Sequence, residues 1–182
     1  MPSLTVGNPA PDFTLKTGRG DTVKLADLRG KAVVLYFYPK DDTPGCTKEA
    51  CSFQDHVTTF TKAGVVVLGV SRDTTTSHQR FAEKFHLTFP LLSDADALVS
   101  KAYGVYKQKS LYGRTYWGIE RTTFIIDARG RIATVFPKVT VDGHTDAVLQ
   151  ALRAIPTGQT PASRRAVRKP SSGAVGASAP RR

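Results

Sequence analysis

The 182-residue chain carries 26 Lys and Arg against 15 Asp and Glu, a formal net charge of +11, and is 40% hydrophobic. That is enough apolar material for the core of one ordinary domain with some length to spare, yet no apolar run approaches the roughly 18 residues of a membrane-spanning helix. Two cysteines cannot build a disulfide scaffold, and they do not form a Cys-x-x-Cys pair.

The charge is unevenly placed. Residues 157–182 hold Arg164, Arg165, Arg168, Lys169, Arg181 and Arg182 and no acidic residue, leaving +5 for the rest of the chain, which is ordinary for a soluble domain. The first residues, Met-Pro-Ser-Leu-Thr-Val, lack the basic and apolar regions of a signal peptide. A cytoplasmic protein is therefore expected, and in that compartment paired cysteines are more often catalytic than structural.

In chain order, Asn8-Pro-Ala-Pro-Asp12 is an irregular entry. Phe13–Lys16 and Thr22–Leu25 alternate in hydrophobicity around Gly18-Arg-Gly20, which predicts a small hairpin. Asp27–Gly30 is a turn. Ala32-Val-Val-Leu-Tyr-Phe-Tyr38 reads as a buried strand, stopped by Pro39. Thr43 is placed to cap a helix with its hydroxyl, Pro44 suits the first helical position, and Gly64 marks the helix end.

Val65–Val70 is a second buried strand, Ser77–Phe85 an amphipathic helix, and Phe89–Leu92 a short strand followed by a helix near 95–103. Residues 104–118 are expected to be a loop, with Tyr116 and Trp117 packed on the domain. Thr122–Ile126 and Ile132–Phe136 flank Asp127-Ala-Arg-Gly130 as a hairpin, and Thr145–Ile155 is a last helix with Val148, Leu149 and Leu152 on one face. Strands alternating with helices predict an α/β fold, a central mixed sheet flanked by helices. From Thr157 onward the Pro-, Ser-, Ala-, Gly- and Arg-rich composition predicts disorder. The expected division is a domain over 1–156 and a disordered basic tail over 157–182.

The chemistry concentrates in Pro39-Lys-Asp-Asp-Thr-Pro-Gly-Cys46-Thr-Lys-Glu-Ala-Cys51. Cys46 falls in the first turn of the predicted helix, where unpaired N–H groups and the positive dipole end favour a thiolate. A free cysteine is commonly just a small buried hydrophobe; the electropositive helix start argues against that for Cys46. Cys46 shares a helical face with Ala50, Phe53, Val57 and Phe60, whereas Cys51 lies about 140° away on the wetter side. In an ideal helix Cα atoms five residues apart are roughly 8.6 Å apart, beyond the roughly 7 Å limit of a disulfide. The two sulfurs can bond only after a turn unwinds.

This segment resembles the active site of the peroxiredoxins, specifically the atypical two-cysteine PrxQ subgroup, also called bacterioferritin comigratory proteins. The pattern of Pro, three residues, Thr, two residues, Cys falls on Pro39, Thr43 and Cys46, with the second cysteine five residues on. The order of elements from Gly7 to Ile155 is similar to their thioredoxin-like fold. The resemblance implies a thiol-dependent peroxidase without metal or haem, in which Cys46 reduces hydrogen peroxide or an organic hydroperoxide and becomes a sulfenic acid. Cys51 then closes an intramolecular disulfide, and thioredoxin or a similar dithiol reductant restores both thiols. It also implies that Thr43 and the N–H groups of Gly45 and Cys46 polarise the peroxide, and that Pro39 limits water above the sulfur. Arg121, in Gly118-Ile-Glu-Arg-Thr-Thr-Phe124, matches the arginine such proteins place at the start of a later strand. Many relatives carry Arg where this chain has Gln54, a departure that weakens electrostatic support around the site.

His56, His78, His86 and His144 are scattered without ligand spacing, so no metal is expected, and Asp41 and Asp42 read as a solvated turn. A monomer is expected, since the disulfide needs no second chain. The basic tail reads as a solubilising extension, with weak, sequence-independent nucleic-acid binding as its alternative. Two rival functions remain: a disulfide oxidoreductase, disfavoured by the absence of Cys-x-x-Cys, and a redox sensor or nucleic-acid-associated protein using Cys46 and the tail.

Overall fold

The apolar run at 32–38 forms the centre of the molecule. In the computed structural model, which describes residues 3–155, it becomes β3 (Ala32–Phe37), and residues 33–38 are all buried. A strand covered on both faces needs no polar alternation, which explains the unbroken run. Val34, Tyr36 and Tyr38 join one core cluster, while Val33, Leu35 and Phe37 join a second on the opposite face.

The other strands are β1 (Thr14–Thr17), β2 (Thr22–Lys24), β4 (Val65–Ser71), β5 (Leu91–Ser93), β8 (Thr122–Ile126) and β9 (Ile132–Phe136), and they assemble with β3 in the order β2-β1-β5-β4-β3-β8-β9. β3 and β4 are parallel, as are β4 and β5, whereas β8 runs antiparallel to β3. Helices α1 (Pro44–Asp55), α2 (Val57–Lys62), α3 (Thr75–Phe85) and α5 (His144–Arg153) supply side chains to the first cluster. A 3-10 turn (Leu25–Leu28), α4 (Leu98–Ala102) and the entry segment border the second. The expected mixed sheet flanked by helices is the observed architecture. The predicted tail lies outside the described residues.

Register decides what meets at the functional end. Phe37, the last residue of β3, pairs with Val70 of β4 and with Thr122, the first residue of β8. The loop after β3, the loop after β4 and the residue before β8 therefore arrive at one end of the interior strands.

Two expectations about the elements fail. The single helix expected after Thr43 is two. The His56 ring Nδ1 contacts the Ser52 carbonyl at 2.9 Å, while the His56 N–H donates to Phe53 instead. This side-chain capture takes the acceptor that the α-helical ladder would use, and the chain breaks at His56 (φ −105°, ψ 7°). The expected loop over 104–118 is largely a two-stranded ribbon, β6 (Tyr106–Leu111) and β7 (Arg114–Ile119), closed by Tyr112-Gly113 with φ of 49° and 75°. Positive φ at both central residues is the primed turn that matches strand twist. The ribbon pairs only with itself and buries little, so it carries no apolar alternation to read. Tyr116 and Trp117 are exposed on it, the Trp117 ring stacking on Tyr106.

Candidate active site

Cys46 stands on the first turn of α1, 2% exposed, its helix launched by Thr43 in extended backbone and by Pro44 at the first helical position. The Thr47 N–H donates to the Thr43 carbonyl at 2.8 Å, closing that turn. The Thr43 hydroxyl does not cap the helix as expected. It donates to the Lys40 carbonyl at 2.9 Å, tightening the loop before the helix. Pro39 is exposed in the same loop and Gly45 is half-buried beside the sulfur.

Because β8 begins opposite the end of β3, Arg121 lands against this turn. Its Nη2 donates to Cys46 Sγ at 3.3 Å, and its Nη1 pairs with the Glu49 carboxylate. The Val139 N–H fixes the arginine backbone by donating to its carbonyl at 2.8 Å. A Cβ on Gly45 would sit 3.2 Å from Arg121 Nη2. A side chain at position 45 would push the guanidinium by a few tenths of an ångström, so Gly45 leaves it room beside the sulfur.

Glu49 is the residue that sequence reasoning missed. It lies three positions after Cys46, is 1% exposed, and its burial pushes the carboxyl up to about 7 against the pull of Arg121. Its Oε1 has no hydrogen-bond partner, and neither does the buried Tyr36 hydroxyl. Burial, then the charges of Glu49 and Cys46, hold the Tyr36 phenol well above its ordinary range. The only sequence signal for Glu49 was the i, i+3 spacing. Lys109 on the ribbon titrates below its ordinary value, through partial burial and then Arg121. His144 is also buried; burial and then Arg121 bring it down to about 4, and its Nε2 lies 2.8 Å from the Thr123 hydroxyl.

Cys51 is half-buried on the same unbroken helix, and both cysteines are free thiols. Burial, then the Asp55 carboxylate, pushes the Cys51 thiol up. Gln54 does not approach the sulfur: it accepts from the Thr88 N–H at 2.8 Å and donates to the Thr88 hydroxyl at 3.1 Å. Asp41 is not solvated but buried against His78, whereas Asp42 pairs with Lys84 at the surface. Among the described residues no cluster of three His, Cys, Asp or Glu is arranged to hold a metal ion, and no helix is long and apolar enough to cross a membrane.

The sequence profile of the AhpC/TSA family matches residues 6–135. The Bcp protein of Coxiella burnetii is 56% identical over 150 residues, covering 82% of this chain and 99% of its own. The peroxiredoxin Bcp of Bacillus subtilis is 46% identical over 151 residues, covering 83% and 96%. This chain belongs to the AhpC/TSA family of peroxiredoxins.

Its backbone is similar to a solved structure of the Xanthomonas campestris bacterioferritin comigratory protein, described for its alkyl peroxide reduction activity. The TM-score is 0.77 at 42% identity, covering 83% of this chain and 96% of that one. The peroxiredoxin is thus a thiol peroxidase with a thioredoxin-like fold. Its family implies a hydroperoxide substrate and a thioredoxin-type reductant.

Proposed function

We propose that Cys46 is the attacking sulfur and Cys51 the resolving one. The observation that carries this is the Arg121 Nη2 contact of 3.3 Å on Cys46 Sγ at a helix start. A cation and the N–H groups of the first turn favour the thiolate and face the place where charge develops. The thiolate attacks one peroxide oxygen and the O–O bond breaks. Sulfur is oxidised to the sulfenic acid, and the other oxygen leaves with the electron pair and takes a proton to become water or an alcohol.

In this reading Arg121 stabilises the departing oxyanion and Gly45 leaves room for the guanidinium. The Thr43 hydroxyl, which rests on the Lys40 carbonyl, rotates to the peroxide when one enters, and Pro39 shields the space above the sulfur. The first turns of α1 then unwind. Cys51 attacks the Cys46 sulfur, the disulfide forms and water leaves. A dithiol protein of the thioredoxin type reduces the disulfide by exchange through a mixed disulfide.

Both sulfurs lie on one helix of one chain, which supports a working monomer, and we place the protein in the cytoplasm. Residues 1–156 are taken as the peroxidase domain. The basic residues 157–182 are taken as a solubilising extension, whose nucleic-acid binding would be nonspecific and salt-sensitive.

The test is intact mass after one equivalent of hydrogen peroxide. The native protein should lose two hydrogens, and Cys51→Ser should gain one oxygen. An unchanged mass, under conditions in which a control peroxidase consumes the peroxide, would remove Cys46 from the reaction.

A further inference from the structure

The loop between β3 and α1 contains Pro39 and Thr43 and leads straight into Cys46, yet nothing in its own backbone is regular. Asp42 even adopts a φ of 54°, a left-handed conformation that non-glycine residues seldom take. A buried polar network that the reaction does not use holds it in place.

Asp41, 7% exposed, accepts at Oδ1 from the Tyr38 hydroxyl at 2.6 Å and at Oδ2 from the Ser77 hydroxyl at 2.8 Å. His78 is completely buried, its Nδ1 2.7 Å from Asp41 Oδ2 and its Nε2 3.0 Å from the Leu92 carbonyl oxygen. A carbonyl only accepts, so Nε2 carries a proton, and a further proton is shared at the Nδ1–Oδ2 contact. The Asp41 N–H donates to Asp73 Oδ2 at 2.9 Å, and the Ser71 hydroxyl donates to the same oxygen at 2.5 Å. Lys84 of α3 holds Asp42 from outside at 2.8 Å. The ends of β3 and β4 and the start of α3 thus converge on Asp41 and Asp42, with β5 holding His78 behind them. Buried polar groups are tolerated where they are hydrogen-bonded, and such networks specify one geometry more than they add stability.

We propose that the Asp41–His78 pair is a positioning clamp for the peroxide pocket, fixing the 39–43 loop so that Pro39 and Thr43 keep their places around Cys46. This rests on the reading that Cys46 attacks peroxide. His78 and Asp41 make no hydrogen bond to the sulfur and act through the loop. Displacing the loop therefore misaligns the O–O bond but leaves the thiolate open to a reagent that needs no pocket.

Two rates separate these effects, both measured on the full chain carrying Cys51→Ser so that only Cys46 reports. One is sulfenic acid formation with hydrogen peroxide; the other is alkylation by iodoacetamide. His78→Leu should slow the peroxide reaction by about tenfold to a hundredfold, the scale of a misplacement of about 1 Å, and leave alkylation unchanged. His78→Asn, whose amide still donates to Asp41, should restore most of the loss. Asp41→Asn replaces one acceptor oxygen with an NH2 that cannot accept from Tyr38, Ser77 or His78, so it loosens the loop and should show the same split if His78→Leu fails to fold. A peroxide rate equal to the parent's in the folded variants would overturn the clamp. So would a parallel loss of both rates without rescue by His78→Asn. Absence of sulfenic acid in the parent itself would instead overturn the underlying assignment of Cys46.

Discussion

Arg121 faces two acids at once, the Cys46 thiol and the Glu49 carboxyl, and the buried Glu49 carboxyl makes stability depend on pH. Glu49 moves from 4.5 to about 7 on folding, chiefly through burial, so between those values the folded chain holds a proton that the unfolded chain has lost. Stability from this group is full below about 4.5 and falls by on the order of 3 kcal/mol as pH rises through about 7. His144 moves the other way, from 6.5 to about 4, again chiefly through burial. Its contribution is lost as pH falls from about 6.5 through about 4, by a similar amount. Over the shared window the two slopes offset. Glu49→Gln should unmask the histidine slope, since it removes the carboxyl whose proton uptake on folding opposes it. Urea midpoints of this variant should climb between pH 4.5 and 6.5, where the native protein stays nearly level. A level profile in the variant would show that one of the two groups is not buried as described.

At the scale of elements, α1 has two duties that pull in opposite directions. In the proposed reaction it must be helical to present Cys46 and must unwind for Cys51 to reach it. Its flanks are tied down: Ser52 and Thr145 share a hydrogen bond at 2.7 Å, and Lys48 pairs with Asp142. The first turn, by contrast, contains Gly45, a poor helix former. Gly45→Ala should favour the helix by up to about 1 kcal/mol and crowd Arg121 Nη2, already 3.2 Å from the new Cβ. Both sulfenic acid formation and the following disulfide closure should slow, separable by rapid-quench mass spectrometry. A faster disulfide step would mean that unwinding begins elsewhere in the helix.

For the whole molecule, the sheet places the chemistry at one end of its interior strands, and residues 157–182 lie outside the described residues. Those residues hold six basic side chains and no acidic one. A chain ended at Pro156 should unfold at the native temperature and reduce peroxide at the native rate. Its retention on heparin should fall, because the charge available for counterion release is smaller. Loss of peroxidase activity on truncation would move the domain boundary into the tail.

How much of this was legible in sequence depends on where each signal is stored. Strand β3, the start of α1 and the candidate sulfur at its first turn follow from local chemistry: an apolar run, Pro39, Thr43 and Pro44 in succession, and a thiol at a helix start. The β8–β9 hairpin follows from Gly130, which takes φ 79°. Arg121 entered only through a resemblance, because nothing local says that residue 121 meets residue 46; the antiparallel pairing of Phe37 with Thr122 brings them together. Asp41 read as part of a solvated turn, His78 as one of four scattered histidines, and Glu49 drew no reading, since a side chain's burial depends on what the rest of the chain lays over it. The ribbon at 106–119 escaped because its strands pair with each other and not with a core. Local sequence therefore determined the strand, the helix start and the thiol chemistry, where short-range sterics and dipoles dominate. The tertiary structure alone decided which charges surround the thiol, because strand register and burial are set by contacts between residues far apart in the chain.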